Sequence, residues 1–152
     1  MNQARHRRVK RLLELRAKEL ERRVADLSAA RQAEMLALDC YKVARAQTVS
    51  AVGTREAWAR RGTTIDEWKD VEHWVAEAKK RERGARAAVS DANRAVDEAR
   101  AKVEEARLEQ EKIERLLARL AVEVRTEENR ADQKTTDESA AARFLRSRGS
   151  GT

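Results

Sequence analysis

None of the 152 residues is proline, five are glycine, one is cysteine, and aromatic side chains make up 3%. Without proline the strongest helix breaker is missing throughout, so a helix can run until something else stops it. So few aromatics leave too little bulk to fill the core of a compact globular domain of this length. A single cysteine excludes an internal disulfide and agrees with a reducing compartment. Set between Leu38 and Tyr41, Cys40 reads as a small, half-buried helix residue. No apolar run approaches the ~20 residues that span a bilayer. The basic N-terminal stretch is followed by Glu14, Arg16 and Lys18 rather than by the apolar segment of a signal peptide. The expectation is a soluble protein.

Groupings that carry catalysis are missing too. His6 and His73 lie far apart, and neither has a second histidine at helical ligand spacing, so no zinc site is expected. The glycines are isolated and form no phosphate loop. Carboxylate pairs such as Glu104-Glu105 and Glu127-Glu128 read as exposed helix charges. Neither an enzyme nor a cofactor is expected.

What the chain does have is charge and alanine. Charged residues make up 40%, and hydrophobic residues 41%, largely as alanine, which is the composition of coiled coils and long helices. Net charge is +7 and the pI near 10.0, which raises nucleic acid as a partner. The 27 acidic residues are interleaved with the 34 basic ones, a pattern that favours a solvated face laced with ion pairs one helical turn apart. Nucleic acid is therefore the lesser reading.

The strongest positive feature is a three-four alternation from Trp68 to Val124. It reads Trp68, Val71, Val75, Ala78, Glu82, Ala85, Val89, Ala92, Val96, Ala99, Val103, Ala106, Gln110, Ile113, Leu117, Leu120, Val124. A sustained 3.5-residue period predicts a long helix whose narrow seam faces another helix. Leu13, Leu20 and Leu27 recur every seven residues in an earlier stretch, with Ala17 and Val24 between them, Leu38 and Tyr41 further on, and Arg31 and Glu34 as interruptions. The fold class is all-α, a two-helix antiparallel coiled-coil hairpin with the second helix longer than the first. One elongated domain covers 1–145: helix 1 over 5–52, a tip over 53–64, helix 2 over 64–145, and a frayed tail over 146–152. Gly53 and Gly62 bracket the tip, and Thr64-Ile65-Asp66-Glu67 has the form of a capping box that starts helix 2. Gly84 reads as a tolerated helix glycine, because the seam passes it without a change of phase.

Folding back from a tip near residue 58 sets the N-terminus beside Lys112 to Leu116. Leu116, Leu117, Leu120, Val122 and Val124 would then form an apolar helix surface with no partner in the chain. Trp68 lies on the seam as a core anchor. Trp58 stiffens the tip, and Trp74, on the flank, either stiffens it too or anchors a partner.

Past the seam comes a polar string that periodicity does not explain: Glu128-Asn129-Arg130-Ala131-Asp132-Gln133-Lys134-Thr135-Thr136-Asp137-Glu138-Ser139-Ala140. It resembles the C-terminal signature of the FliJ/YscO family of flagellar and virulence type III secretion, matched here at Glu128, Asn129, Arg130, Asp132, Gln133, Lys134, Asp137, Glu138 and Ala140. That resemblance implies a coiled coil similar to the gamma subunit of rotary ATPases. It implies a central stalk that inserts into the hexameric secretion ATPase, promotes its assembly and activity, and links it to the export gate and to substrate chaperones. The residues so implied at the ATPase are Arg5, Arg7, Arg8, Arg11, Leu117, Leu120, Asn129, Arg130, Asp132, Gln133, Lys134, Asp137 and Glu138. Those implied at the export gate are Gln47, Trp74 and Ala78, while Ala51 and Ala85 are small where family members carry other gate-facing residues. The implied location is cytoplasmic, peripheral to the inner-membrane export apparatus, with no nucleic acid bound and no insertion into the membrane. The alternatives are a homodimeric structural coiled coil, which would use the same seam between chains, and a chaperone-binding adaptor without ATPase contact. A basic nucleic-acid-binding coiled coil ranks below both.

Overall fold

The structure, a computed structural model, describes residues 2–149. Two α-helices account for nearly all of them: α1, Asn2–Arg61, and α2, Ile65–Gly149. No strand occurs among the described residues. The all-α hairpin with a longer second helix is the fold that the apolar periodicity predicts. The chain divides into two compact units, Glu21–Glu105 and a second that joins Met1–Leu20 to Ala106–Thr152. Each contains a stretch of α1 and a stretch of α2.

All seventeen α2 seam positions from Trp68 to Val124 are buried or half-buried, Glu82 and Gln110 included. In the unit Glu21–Glu105 the deepest side chains are small: Ala51 is fully enclosed and packs with Val75 and Ala78, with Val52 against them. Val71, Val96, Val103 and Ala44 complete this set. Short side chains let two helices approach closely, and close approach excludes water without large core residues. The helices run antiparallel there, because Arg55 pairs with Glu72 at 3.6 Å while the earlier Tyr41 meets the later Arg86. Along this unit the α1 and α2 seams face one another within the chain.

The α1 side of the seam differs from the sequence reading. It keeps a strict three-four step, through Asn2, His6, Val9, Leu13, Arg16 and Leu20 in one unit. In the other it runs through Arg23, Leu27, Ala30, Glu34, Ala37, Tyr41, Ala44, Thr48, Ala51, Arg55 and Trp58. Arg16, Arg23 and Glu34 are therefore seam residues, whereas Val24 and Leu38 are exposed. Apolarity alone favours the position four residues after each leucine, Ala17 or Val24. The observed register takes the position three residues after, Arg16 or Arg23, where the long stem of an arginine can cover apolar surface. Cys40 also departs from expectation and is exposed.

The tip is shorter than 53–64. The first helix continues through Gly53 to Arg61, and only residues 62–64 lie between the helices. Gly62 adopts φ +86, and its N–H donates to the carbonyl of Trp58 at 3.0 Å, which is the left-handed cap that ends a helix. Thr64 then caps α2: its hydroxyl accepts the N–H of Glu67 at 3.2 Å, and its carbonyl accepts that of Trp68. The Glu67 carboxylate does not close the expected box but accepts the hydroxyl of Thr63 at 2.7 Å and sits 3.7 Å from Arg61. That guanidinium also lies over the Trp58 ring, 5.4 Å from its centroid. Gly84 lies within continuous helix, as its unbroken seam implies. The tail expected to fray over 146–152 is helical through Gly149, and residues 150–152 lie outside the described residues.

The two glycines thus have opposite requirements. Gly62→Ala forces a side chain into the left-handed region and should destabilise by about 1–2 kcal/mol. Gly53→Ala meets nothing within 4 Å and should stabilise the helix by about 0.5–1 kcal/mol. Thermal unfolding followed by circular dichroism checks both, and shifts of the same sign would contradict this placement of the turn.

Candidate functional site

Because α1 runs on to Arg61, its first residues lie further along α2 than the sequence reading placed them. The Asn2 side-chain amide donates to the Glu127 carboxylate, and Gln3 Nε2 donates to Glu128 Oε1 at 3.4 Å. The N-terminal segment therefore lies beside Glu127 and Glu128, not beside Lys112 to Leu116. Leu120 is 2% exposed and Leu116, Leu117 and Val124 are half-buried, so these are packed within their unit, while Val122 stays exposed as expected. Leu120 is withdrawn from the contact surface expected of it, while Leu117 keeps part of its surface. The polar string begins where the company of α1 ends.

From Asn129 to Gly149 every residue is exposed. From Asn129 onward the hydrogen bonds described along the string are local ones within α2. Gln133 Nε2 donates to Asp137 Oδ1 at 3.1 Å, and the hydroxyls of Thr135 and Thr136 donate to the carbonyls of Ala131 and Asp132. Asn129, Arg130, Asp132, Gln133, Lys134, Asp137 and Glu138 are thus presented on a solvated helix. Arg5, Arg7, Arg8 and Arg11 are exposed in the same unit. That unit holds seventeen Lys and Arg against eleven Asp and Glu, six of the net +7 carried by the chain. Such a field draws an acidic surface toward it. From Asn129 to Ser139 the exposed residues are polar on every side except at Ala131, and Phe144 and Leu145 are exposed further on. A helix polar all round has no apolar face to bury and is marginal alone in water, so the stretch from Asn129 to Ser139 suits a polar cavity better than an apolar groove.

The residues expected at the export gate separate. Ala78 is 1% exposed and packs against Ala51 and Val75, so its side chain offers no surface. Trp74 is 40% exposed. Gln47 lines a shallow groove with Asp39, Cys40, Val43, Ala44 and Arg81. Arg81 stands seven residues after Trp74 and so shares its face of α2. Leu36, at the head of the same α1 stripe, is also exposed. Sequence reasoning passed over Leu36, Val43 and Arg81, and read Cys40 as half-buried. Their signal was the four-three-four spacing Leu36, Cys40, Val43, Gln47, a second stripe beside the main seam.

A family model described as the flagellar FliJ protein matches residues 5–149. The chain belongs to the FliJ family. No curated protein and no solved structure matches it. The FliJ match takes in both helices, so membership does not rest on the polar string alone, and it associates the chain with flagellar and type III export. Among the described residues no group of three His, Cys, Asp or Glu is placed to hold a metal ion. No helix there is long and apolar enough to cross a membrane.

Next to the groove, Arg86 Nη2 donates to the Tyr41 hydroxyl at 3.2 Å, with the guanidinium 5.8 Å from the ring centroid. The hydrogen bond from Arg86 holds the Tyr41 phenol below its ordinary 10.0. An acid whose folded pKa is depressed adds stability only as pH rises through that pKa, so this contact adds none by ionisation at neutral pH. Tyr41 is the only tyrosine. An absorbance titration should show it ionising below the range of a free tyrosine, and Arg86→Ala should return it there; an unshifted wild-type titration would contradict the contact.

Proposed function

We propose that this chain is the central stalk of a flagellar or injectisome export apparatus. Its solvated α2 end enters the hexameric secretion ATPase and promotes the assembly and activity of the ring. The observation that carries this reading is the position of the family string: Asn129 to Ala140 is exposed on all sides from the point where α1 ceases to accompany α2. A loop-lined pore offers hydrogen-bonding and charged groups in every direction, and this stretch presents complementary groups all round. Asn129, Arg130, Asp132, Gln133, Lys134, Asp137 and Glu138 meet the pore loops. Arg5, Arg7, Arg8 and Arg11 approach the acidic side chains around its entrance.

The opposite contact, to the cytoplasmic domain of the export gate, falls to Gln47 and Trp74 with the groove that ends at Arg81. Substrate chaperones are further partners in this reading. It places the protein in the cytoplasm, peripheral to the inner-membrane export apparatus.

Asp132, Lys134, Asp137 and Glu138 are exposed, so replacing all four with alanine should leave the helical circular dichroism intact. The same variant should lose stimulation of the cognate ATPase and hexamer formation. Undiminished stimulation would remove the string from the ATPase contact.

A further inference from the structure

We propose that residues 2–20 of α1 form a releasable arm, which opens from α2 as one piece while the remainder of the hairpin stays closed. Such release is a property of the chain itself, beyond the stalk reading and independent of the identity of any partner.

The two sides of the seam in this unit are chemically unequal. The second helix contributes Ala106, Gln110, Ile113, Leu117, Leu120 and Val124, of which one is polar. The arm contributes Asn2, His6, Val9, Leu13, Arg16 and Leu20, of which three are polar. Val9 and Leu120 are the deeply buried residues where the arm's nineteen positions pair with α2, against seven where the forty-one α1 positions of the other unit do. Burial of apolar area is the main favourable term in helix pairing, so the arm has the smaller total to hold it.

Arg16 adds a defect. Its Nε is enclosed and meets no hydrogen-bond acceptor. An enclosed N–H left without a partner recovers its hydrogen bond when water reaches it. Opening the arm therefore relieves this atom.

The arm also begins badly as a helix. Its first turn holds no acidic residue, and Arg5, Arg7, Arg8, Lys10 and Arg11 crowd its start. Positive charge at a helix N-terminus opposes the helix dipole, and five like charges repel one another. At the start of the arm, Asn2 to Glu127 and Gln3 to Glu128 are exposed amide hydrogen bonds, which water replaces readily. Release uncovers Ile113, Leu117, Leu120 and Val124 as one stripe leading into the polar string.

Hydrogen exchange on the full chain, resolved by mass spectrometry, tests this. Amides from residues 5 to 20 should exchange at least about tenfold faster than those from 40 to 58, with a single step near residue 20. Arg16→Leu, and Arg16→Met as a milder variant, should slow exchange over 5–20 by about tenfold and leave 40–58 unchanged. Full protection regained within the first two turns, as in ordinary fraying, would overturn the proposal. So would unchanged exchange over 5–20 in both variants.

Discussion

Everything in this fold hangs on the close fit of two helices that keep the same three-four step. In the unit Glu21–Glu105, Ala51 is fully enclosed and packs with Val75 and Ala78, so small side chains set how the helices meet there. Register matters to the proposed function, because it decides which part of α2 is covered. With α1 continuous from Asn2 to Arg61, Val9 and Leu120 are buried and Asn2 reaches Glu127. A different register would bury part of the family string or bare the leucines before it.

The turn sets that register with few atoms. Gly62 ends α1 in a conformation other residues resist, and Thr64 starts α2 two residues later. Electrostatics then separates the two units: one is close to neutral, while the unit with both chain ends carries most of the positive charge. The proposed ATPase contact and the releasable arm draw on the same fact. The end of the hairpin that is most charged is also the one least held by apolar burial.

The second helix was legible in the sequence because its seam is apolar and unbroken in spacing, and the FliJ relationship because nine positions of the string match. The first helix was only partly legible. Arg16, Arg23 and Glu34 occupy seam positions that composition assigns to the surface, and Val24 and Leu38 do the reverse. Only the facing helix decides between two frames one residue apart. The tip was misplaced because Gly53 and Gly62 look alike as letters, while just one of them needs positive φ. That error carried over to the N-terminus and made Leu117 and Leu120 look unpartnered. Ala78 was misassigned by transfer from the family, since its seam position already implied burial.

The register is tested most directly by a distance measurement between spin labels in a Cys40→Ser background. One pair replaces Gln3 and Glu128, a second pair Gln3 and Arg115. The first pair should be adjacent, with the second separated by about 20 Å more along the helix axis. A short distance from position 3 to position 115, with position 128 remote, would contradict this register and would place the apolar leucines rather than the polar string at the uncovered end.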